Sequence, residues 1–341
     1  MMKLAVVGSG MISDIYLENM INMYGNLQVV ACASRDLEHA KIKADQYAIQ
    51  ARTIDQVLDD PEIEMIVNLT PVEAHYEVIR RALDAGKHVF TEKALAQTLE
   101  QGQQLIQLAE KQGRYLGCAP ETFLSDASAY AKSVIEAGGL GEITGFHISL
   151  NLSLDMMYCV FRNLTAPGAG IGMDRGIYFL TELCYLLGEA EDAYGWTRTL
   201  EPDRVIEPIG QAGVQKRIHI ENENQMSALL RMKNGAIGTV QLNGNTIFPE
   251  LSHIEIQGRN GIMILPNSND FGGEVKILQK GSYDTKPQWS ITSFDNQDIR
   301  GIGPSRMAQA IEEGRENPIS AQRAYHVMEV FDQILKSAGV S

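Results

Sequence analysis

Residues 4–13 of the chain, LAVVGSGMIS, decide the expected fold. The apolar residues predict a short buried strand, which passes through a glycine-containing turn directly into a helix. Gly8 permits the tight turn, and Gly10 lets the backbone approach a bound group closely. Ser13 stands where this motif often has a third glycine, and its small side chain still allows close packing of helix on strand.

The pattern predicts a pyrophosphate cradle, because a helix that follows such a turn directs its free N–H groups at an anion. An ordinary Gly-rich turn is the alternative. The residues expected to bind the cofactor here are Gly8, Ser9, Gly10, Met11 and Ile12.

The first third of the chain alternates short apolar runs with longer amphipathic stretches. Strands are predicted at 4–7, 29–33, 65–69, 89–90 and 116–118, and helices at 12–22, 37–47, 74–85 and 99–112. The last helix would begin with a capping box formed by Thr98 and Gln101. This alternation is typical of an α/β domain with a doubly wound parallel sheet. We expect a dinucleotide-binding Rossmann domain over residues 1–121.

The pattern changes after Pro120. Helices are predicted at 127–137, 177–187, 306–314 and 320–338, with strands and turns over most of 193–278. Asn234-Gly235 between two alternating runs predicts a hairpin, as does the turn at 258–261. We expect an α+β domain over residues 122–341 with a large, mainly antiparallel open sheet, for substrate binding and oligomerisation. We expect that the C-terminal helix of this second domain can pack against the first domain.

Composition excludes several classes of protein. The 341 residues are 44% hydrophobic and 21% charged, as in an ordinary globular protein. Lys and Arg number 29 against 43 Asp and Glu, so a net charge of −14 disfavours binding to nucleic acid. Apolar runs fall short of the ~18 residues of a membrane span. The four cysteines are scattered and are expected to be buried thiols, so we expect a cytoplasmic protein with no nucleic-acid or membrane partner.

The residues after the second strand bear on the choice of dinucleotide. An acidic residue at this strand end commonly holds the ribose 2′-hydroxyl of NAD. Here the position is Ser34, followed by Arg35, and a hydroxyl with a guanidinium suits a 2′-phosphate. The sequence therefore favours NADP(H) over NAD(H). In the alternative, Arg35 is solvated and Asp36 only caps the next helix.

Two further segments carry reactive side chains. Lys93 is expected at the carboxyl edge of the parallel sheet, where α/β proteins bind ligands. Asp174 and Tyr178 are four residues apart at a helix start, and Thr181 follows on the same side. The alternatives are a surface lysine, a capping aspartate and a core tyrosine.

These motifs together resemble the Gfo/Idh/MocA family, named for glucose–fructose oxidoreductase and inositol dehydrogenase. The resemblance covers nearly the whole chain. Its segments are Gly8–Ile12, Asn68–Pro71 with His75, Ala85–Val89 leading to Glu92-Lys93, Gly168–Gly170 before Asp174–Tyr178, and the helices at Met307–Gly314 and Tyr325–Val327. The resemblance implies a nicotinamide cofactor and sugar-like hydroxyl substrates.

Carried over by position, Lys93 would lie beside the nicotinamide and the substrate, and Asp174 would bind or orient the substrate. Tyr178 stands where many members have His, as in a Tyr-containing subgroup, and Thr181 stands where others have Asp or Asn. The remaining cofactor-binding residues implied are Thr70, Pro71, His75 and Glu92. The chain departs from the family pattern at Ala94, where Pro is usual, and at Arg175 and Ile177.

The expected function is hydride transfer between a nicotinamide and the carbinol or carbonyl carbon of a sugar or polyol. Tyrosine ionises only near pH ~10 in water, and a nearby lysine cation such as Lys93 would favour the phenolate that accepts the hydroxyl proton of the substrate. Two alternatives are a non-catalytic NAD(P)-binding regulator and an NAD-dependent hydrolase or lyase that oxidises its substrate transiently.

We also expect a homodimer or homotetramer. The sequence leaves few helices to cover the outer face of the second sheet, and the family resemblance points the same way. No metal is expected in the site.

Overall fold

The computed structural model describes residues 1–160, 162–165, 169–207, 213–246, 252–281 and 288–340. The chain divides into two compact units. One consists of Met1–Leu124 with Asp298–His326, and the other of Ser125–Gln297 with Val327–Ser341. The first unit thus extends three residues beyond the expected boundary at 121 and takes in a later segment.

The strands are β1 (Met2–Val7), β2 (Leu27–Ala33), β3 (Gln50–Arg52), β4 (Met65–Asn68), β5 (His88–Thr91), β6 (Leu116–Cys118), β7 (Ile143–Asn151), β8 (Ala190–Arg198), β9 (Asp203–Ile206), β10 (Lys216–His219), β11 (Gln225–Met232), β12 (Ile237–Asn243), β13 (His253–Gly258), β14 (Gly261–Leu265), β15 (Gly273–Gln279) and β16 (Trp289–Phe294). The α-helices are α1 (Ile12–Asn22), α2 (Leu37–Tyr47), α3 (Ile54–Asp59), α4 (Val72–Asp84), α5 (Leu99–Gln112), α6 (Asp126–Glu136), α7 (Leu154–Val160), α8 (Ile177–Leu187), α9 (Ile302–Glu313) and α10 (Ala321–Ser337).

The first unit contains a six-stranded parallel sheet in the order β3-β2-β1-β4-β5-β6. Its central strand β1 is buried without interruption from Leu4 to Val7, as expected for a sheet covered on both faces. The carboxyl ends of β1, β2, β4 and β5 share one edge of this sheet. The expected doubly wound α/β domain is confirmed.

The second unit contains an eight-stranded sheet in the order β16-β15-β14-β13-β7-β12-β11-β8. Among its described strands, β7 and β12 form the one parallel pair. Both expected hairpins are present as β11–β12 and β13–β14. The expected large, mainly antiparallel sheet is confirmed, and β9 and β10 form a separate two-stranded ribbon.

Four predicted helices, α1, α2, α5 and α8, have the observed bounds. The capping box predicted at Thr98 is wrong in one half. Thr98 accepts a hydrogen bond from the amide of Gln101, but the Gln101 side chain accepts from the Gln97 amide instead. The complete box lies at α3, between Thr53 and Gln56, where no helix was predicted. Within the described ranges, no helix is long and apolar enough to cross a bilayer.

Candidate active site

The turn between β1 and α1 is closely packed at Gly8 and open at Gly10. Gly8 has a φ of +115°, and a Cβ there would lie 2.6 Å from the carbonyl carbon and oxygen of Leu69. A Cβ on Gly10 would meet nothing within 4 Å. The buried Ser13 hydroxyl donates to the Gly10 carbonyl at 2.6 Å, which holds the turn against the helix.

The start of α1 is open to an anion. Met11 occupies the N-cap position without a side-chain capping hydrogen bond, and it is 66% exposed. The first amide groups of a helix lack the usual i−4 partner, and those of Ser13 and Asp14 make i−3 bonds to the carbonyls of Gly10 and Met11. The helix dipole favours negative charge there. This uncapped start, beside the open space at Gly10, fits the pyrophosphate of a dinucleotide.

After the end of β2, the adjacent residues Arg35 and Asp36 have different environments. Asp36 is the N-cap of α2, where its carboxylate accepts from the amide of Glu38 at 3.0 Å. Arg35 is exposed, and within the described part of the chain it has no ion pair. Asp36 therefore has the capping role that was one sequence alternative, and Arg35 is accessible to solvent beside Ser34.

His75 lies in α4, after β4, and connects two candidate segments. Its Nε2 lies 2.8 Å from the carbonyl oxygen of Thr70, and its Nδ1 lies 2.6 Å from that of Ala94. Burial lowers the pKa of His75, although the two carbonyls act in the opposite direction. His75 is fully buried, so it ties the turn at Thr70 and Pro71 to the segment that carries Lys93.

Glu92 holds the backbone next to the candidate catalytic lysine. One oxygen of its carboxylate, Oε2, accepts from the amide of Lys93 at 2.9 Å. The other, Oε1, accepts from the Tyr16 hydroxyl at 2.9 Å. Lys93 is partly exposed at the carboxyl edge of the parallel sheet, as the sequence predicts for this strand end.

In the second unit, a π-helical turn at Gly172–Gly176 leads directly into α8. The spacing of Asp174 and Tyr178 was interpreted as one α-helical face, but Asp174 lies in the π-helical turn. Turns of this kind occur often at functional sites. Tyr178 is 8% exposed, and its helix is buried along most of its length.

The polar side chains of this segment differ in their hydrogen bonding. The Nε of Arg175 lies 3.2 Å from Oδ2 of Asp174, and Arg175 also donates to Asn269 and to the sulfur of Met157. The Thr181 hydroxyl is buried and has no hydrogen-bond partner among the described residues. A buried hydroxyl without a partner costs free energy, so a polar ligand group is a natural partner for it.

The glycines near this turn are needed for packing. A Cβ on Gly176 would lie 2.6 Å from Leu242 Cδ1, and one on Gly170 would overlap the Glu223 carboxylate. Gly176 therefore fits closely against the sheet. Gly168 lies outside the described residues.

Several buried polar residues were missed by the sequence analysis. Tyr16, Glu121 and Glu182 are each at most 4% exposed, and burial raises the pKa of both carboxyl groups. A signal was present for Glu182, the one charged residue in the apolar helix IYFLTELCYLL. Among the described residues, no group of three or more His, Cys, Asp and Glu side chains could hold a metal ion.

Models of known protein families match both units of the chain. A family model described as "Oxidoreductase family, NAD-binding Rossmann fold" matches residues 2–119. A second model, "GFO/IDH/MocA C-terminal domain", matches residues 128–264. The chain therefore belongs to the Gfo/Idh/MocA oxidoreductase family, whose N-terminal domain binds NAD.

Among curated relatives, an uncharacterised oxidoreductase of Schizosaccharomyces pombe is 28% identical over 211 residues, covering 61% of this chain and 56% of the relative. The chain spans little more than half the length of this protein and of a second S. pombe oxidoreductase, of which it covers 57%. The NADP(+)-dependent scyllo-inositol 2-dehydrogenase of Bacillus subtilis is 19% identical, with 98% of this chain and 93% of the relative covered.

Solved structures show the same fold. An NAD-binding oxidoreductase from Klebsiella pneumoniae matches with a TM-score of 0.86 and 19% identity, over 99% of this chain and 96% of the other. Levoglucosan dehydrogenase in complex with NADH and levoglucosan matches with a TM-score of 0.84 and 20% identity, over 99% and 97% of the two chains.

Proposed function

We propose that the protein is a dehydrogenase or reductase that transfers a hydride between NADP(H) and the carbinol or carbonyl carbon of a sugar or polyol. The observation that carries the proposal is the uncapped start of α1 beside the open space at Gly10, in a chain of this family. The relatives named for scyllo-inositol and levoglucosan support a polyhydroxylated substrate.

The preference for NADP(H) over NAD(H) rests on the end of β2. Asp36 is committed to capping α2, so its carboxylate is engaged by the Glu38 amide rather than offered to a ribose hydroxyl. Arg35 is exposed next to Ser34, and a guanidinium binds a phosphate with paired, charge-assisted hydrogen bonds.

We assign the cofactor contacts to the sheet edge of the first unit. These residues are Gly8, Ser9, Gly10, Met11, Ile12, Ser34, Arg35, Thr70, Pro71, His75, Glu92 and Lys93. His75 contributes by fixing the Thr70 turn, because both of its ring nitrogens are directed at backbone carbonyls. The bound nicotinamide would supply the hydride acceptor or donor.

We assign the proton chemistry to Lys93 and Tyr178, and substrate binding to these two with Asp174 and Thr181. Tyr178 takes the proton of the substrate hydroxyl, and Lys93 lies beside the nicotinamide and contacts the substrate. Asp174, which forms an ion pair with Arg175, accepts a hydrogen bond from a substrate hydroxyl. The unpartnered Thr181 hydroxyl gains its hydrogen bond from the substrate.

The test is steady-state kinetics of Tyr178→Phe and Lys93→Met, with NADPH binding followed by fluorescence. Loss of acid–base catalysis should lower kcat by about 10²–10⁴-fold and leave NADPH affinity nearly unchanged for Tyr178→Phe. Lys93→Met should also lose most of its activity, because the cation that contacts the substrate is removed. Tyr185→Phe, further along α8, is the matched control and should keep wild-type turnover. A Tyr178→Phe enzyme with wild-type kcat would remove Tyr178 from the mechanism.

A further inference from the structure

Within the second unit, a carboxylate distant in sequence contacts the glycine segment, residues 170–172, that precedes Asp174. Glu223 lies two residues before β11, and its side chain reaches the start of the π-helical turn. Its Oε1 accepts from the Gly172 amide at 3.4 Å, and its backbone carbonyl accepts from the Ile171 amide at 3.0 Å. One residue therefore holds two successive amides at the entry to the turn that carries Asp174.

The glycine segment is linked in turn to Asp174. The Asp174 amide donates to the Gly170 carbonyl at 2.9 Å, so the position of Asp174 depends on that of Gly170. A Cβ on Gly170 would lie 1.9 to 2.1 Å from the carboxylate atoms of Glu223. The φ of Gly170 lies outside the left-handed region. The Glu223 carboxylate, and not the backbone conformation, is therefore what requires a glycine at this position.

The backbone on either side of Glu223 is fixed by buried asparagines. The side chain of Asn224 both accepts from the Leu200 amide, at 2.8 Å, and donates to the Leu200 carbonyl, at 2.9 Å. The Asn222 side chain donates to the Leu164 carbonyl at 3.0 Å. Both asparagines are buried. Glu223 therefore extends from a rigid support, as a group that positions another residue must.

A carboxylate is well suited to this place. The π-helical turn and α8 form one continuous helical run that starts at Gly172, and the dipole of such a run favours negative charge at its start. Ile171, at the N-cap position, supplies no side-chain hydrogen bond, so Glu223 caps the run from elsewhere in the chain. Burial raises the pKa of the Glu223 carboxyl, and the Gly172 amide opposes this by favouring the ionised form.

We propose that Glu223 is a positioning residue for Asp174. Its carboxylate fixes the glycine segment, and the glycine segment sets where the Asp174 side chain meets the substrate. The consequence for the reaction rests on the function proposed above for Asp174, whereas the restraint on the glycine segment does not.

The direct test is residue-resolved hydrogen exchange of the Gly172 and Asp174 amides in the cofactor-free protein. Glu223→Ala should reduce the protection of both amides by roughly threefold to tenfold, the equivalent of about one hydrogen bond. Gly170→Ala should do the same, because its methyl group displaces the Glu223 carboxylate. Glu223→Gln keeps an oxygen that can accept from the Gly172 amide, and it should retain most of the protection.

The effects of the two alanine substitutions should not add. Glu223→Ala removes the group that excludes a methyl at residue 170, so Gly170→Ala should have almost no further effect in that background. Glu221→Ala is the matched control, because Glu221 is exposed two residues earlier, and it should keep wild-type protection. Unchanged protection in either single variant, or additive losses in the double variant, would overturn the proposal. Gly170→Ala therefore decides the matter even if Glu223→Ala fails to fold.

In the active enzyme, kinetics separate positioning from a purely structural role. With a sugar that the wild type oxidises, Glu223→Ala and Gly170→Ala should raise the KM for the sugar by roughly tenfold and change the KM for NADP⁺ little. Glu223→Gln should keep most of the wild-type sugar affinity. An unchanged sugar KM in Glu223→Ala would contradict the proposal. Failure of the proposed function would show separately, as a wild-type protein that neither binds NADPH nor oxidises a sugar while the exchange results hold.

Discussion

At the scale of single residues, two glycines of one motif differ in what a methyl group would meet. In Gly8→Ala, the new Cβ would press on the Leu69 backbone at 2.6 Å, at a φ of +115°. We expect a loss of about 1–3 kcal/mol or more in the free energy of unfolding, measured by denaturation. In Gly10→Ala, the methyl group enters open space, so stability should be unchanged.

The Gly10 variant should instead weaken NADPH binding, because its methyl group occupies the side of the turn that the pyrophosphate approaches. We expect a loss of roughly tenfold or more, equivalent to about 1.4 kcal/mol, in a fluorescence titration. If Gly10→Ala bound NADPH as tightly as the wild type, the cradle would lie elsewhere.

Single residues also show which structural roles can be predicted from the sequence. The role of Gly8 follows from a known motif, and the role of Asp36 follows from backbone within a few residues. Both the glycine turn and the helix cap could therefore be expected from the local sequence. The hydrogen bond from the Tyr16 hydroxyl to Glu92 joins residues 76 positions apart. No local spacing encodes this contact, because Tyr16 lies on α1 and Glu92 directly follows β5.

At the scale of elements, long periodic helices were predictable and short polar elements were not. The bounds of α8 follow from its continuous apolar sequence, whereas β3 is a three-residue strand of Gln, Ala and Arg with no apolar pattern. The π-helical turn before α8 was missed because residue spacing alone cannot distinguish it from an α-helical turn. The π-helical turn also packs closely against other parts of the second unit, since a Cβ on Gly172 would meet Met226 and Phe331 at 3.0 Å.

The start of α2 gives a prediction in which neighbouring residues separate stability from binding. Asp36→Ala removes the N-cap and should lower the free energy of unfolding by about 1 kcal/mol. Arg35→Ala should leave stability unchanged and weaken NADPH binding by roughly tenfold or more, with little effect on NADH. Equal losses for the two cofactors, or tighter wild-type binding of NADH, would contradict the proposed NADP(H) preference.

At the scale of the whole molecule, the second sheet has an exposed face that carries apolar side chains. Leu229 and Ile237 are 52% and 60% exposed on adjacent strands, and Tyr194, opposite Leu229, stacks edge-on with Trp196. Such a patch is commonly buried against a partner, and this supports the expected homodimer or homotetramer.

The assembly is tested by sedimentation velocity at micromolar concentration. Leu229→Arg and Ile237→Glu should shift the protein toward monomer, because each places a charge in the apolar patch. Ile42→Glu is the control, since Ile42 is 62% exposed on α2, and its variant should sediment like the wild type. A wild-type protein that sediments as a monomer would refute the homo-oligomer.

The central claim, net hydride transfer to a nicotinamide, is tested most directly by stoichiometry. Purified protein is incubated with NADP⁺ and each member of a panel of sugars and polyols, and NADPH and oxidised product are both quantified. The account predicts that a reactive substrate yields NADPH and oxidised product in equimolar amounts. Product formed without net NADPH would indicate a hydrolase or lyase with transient oxidation, and tight cofactor binding without any turnover would indicate a regulator; either result would contradict the account.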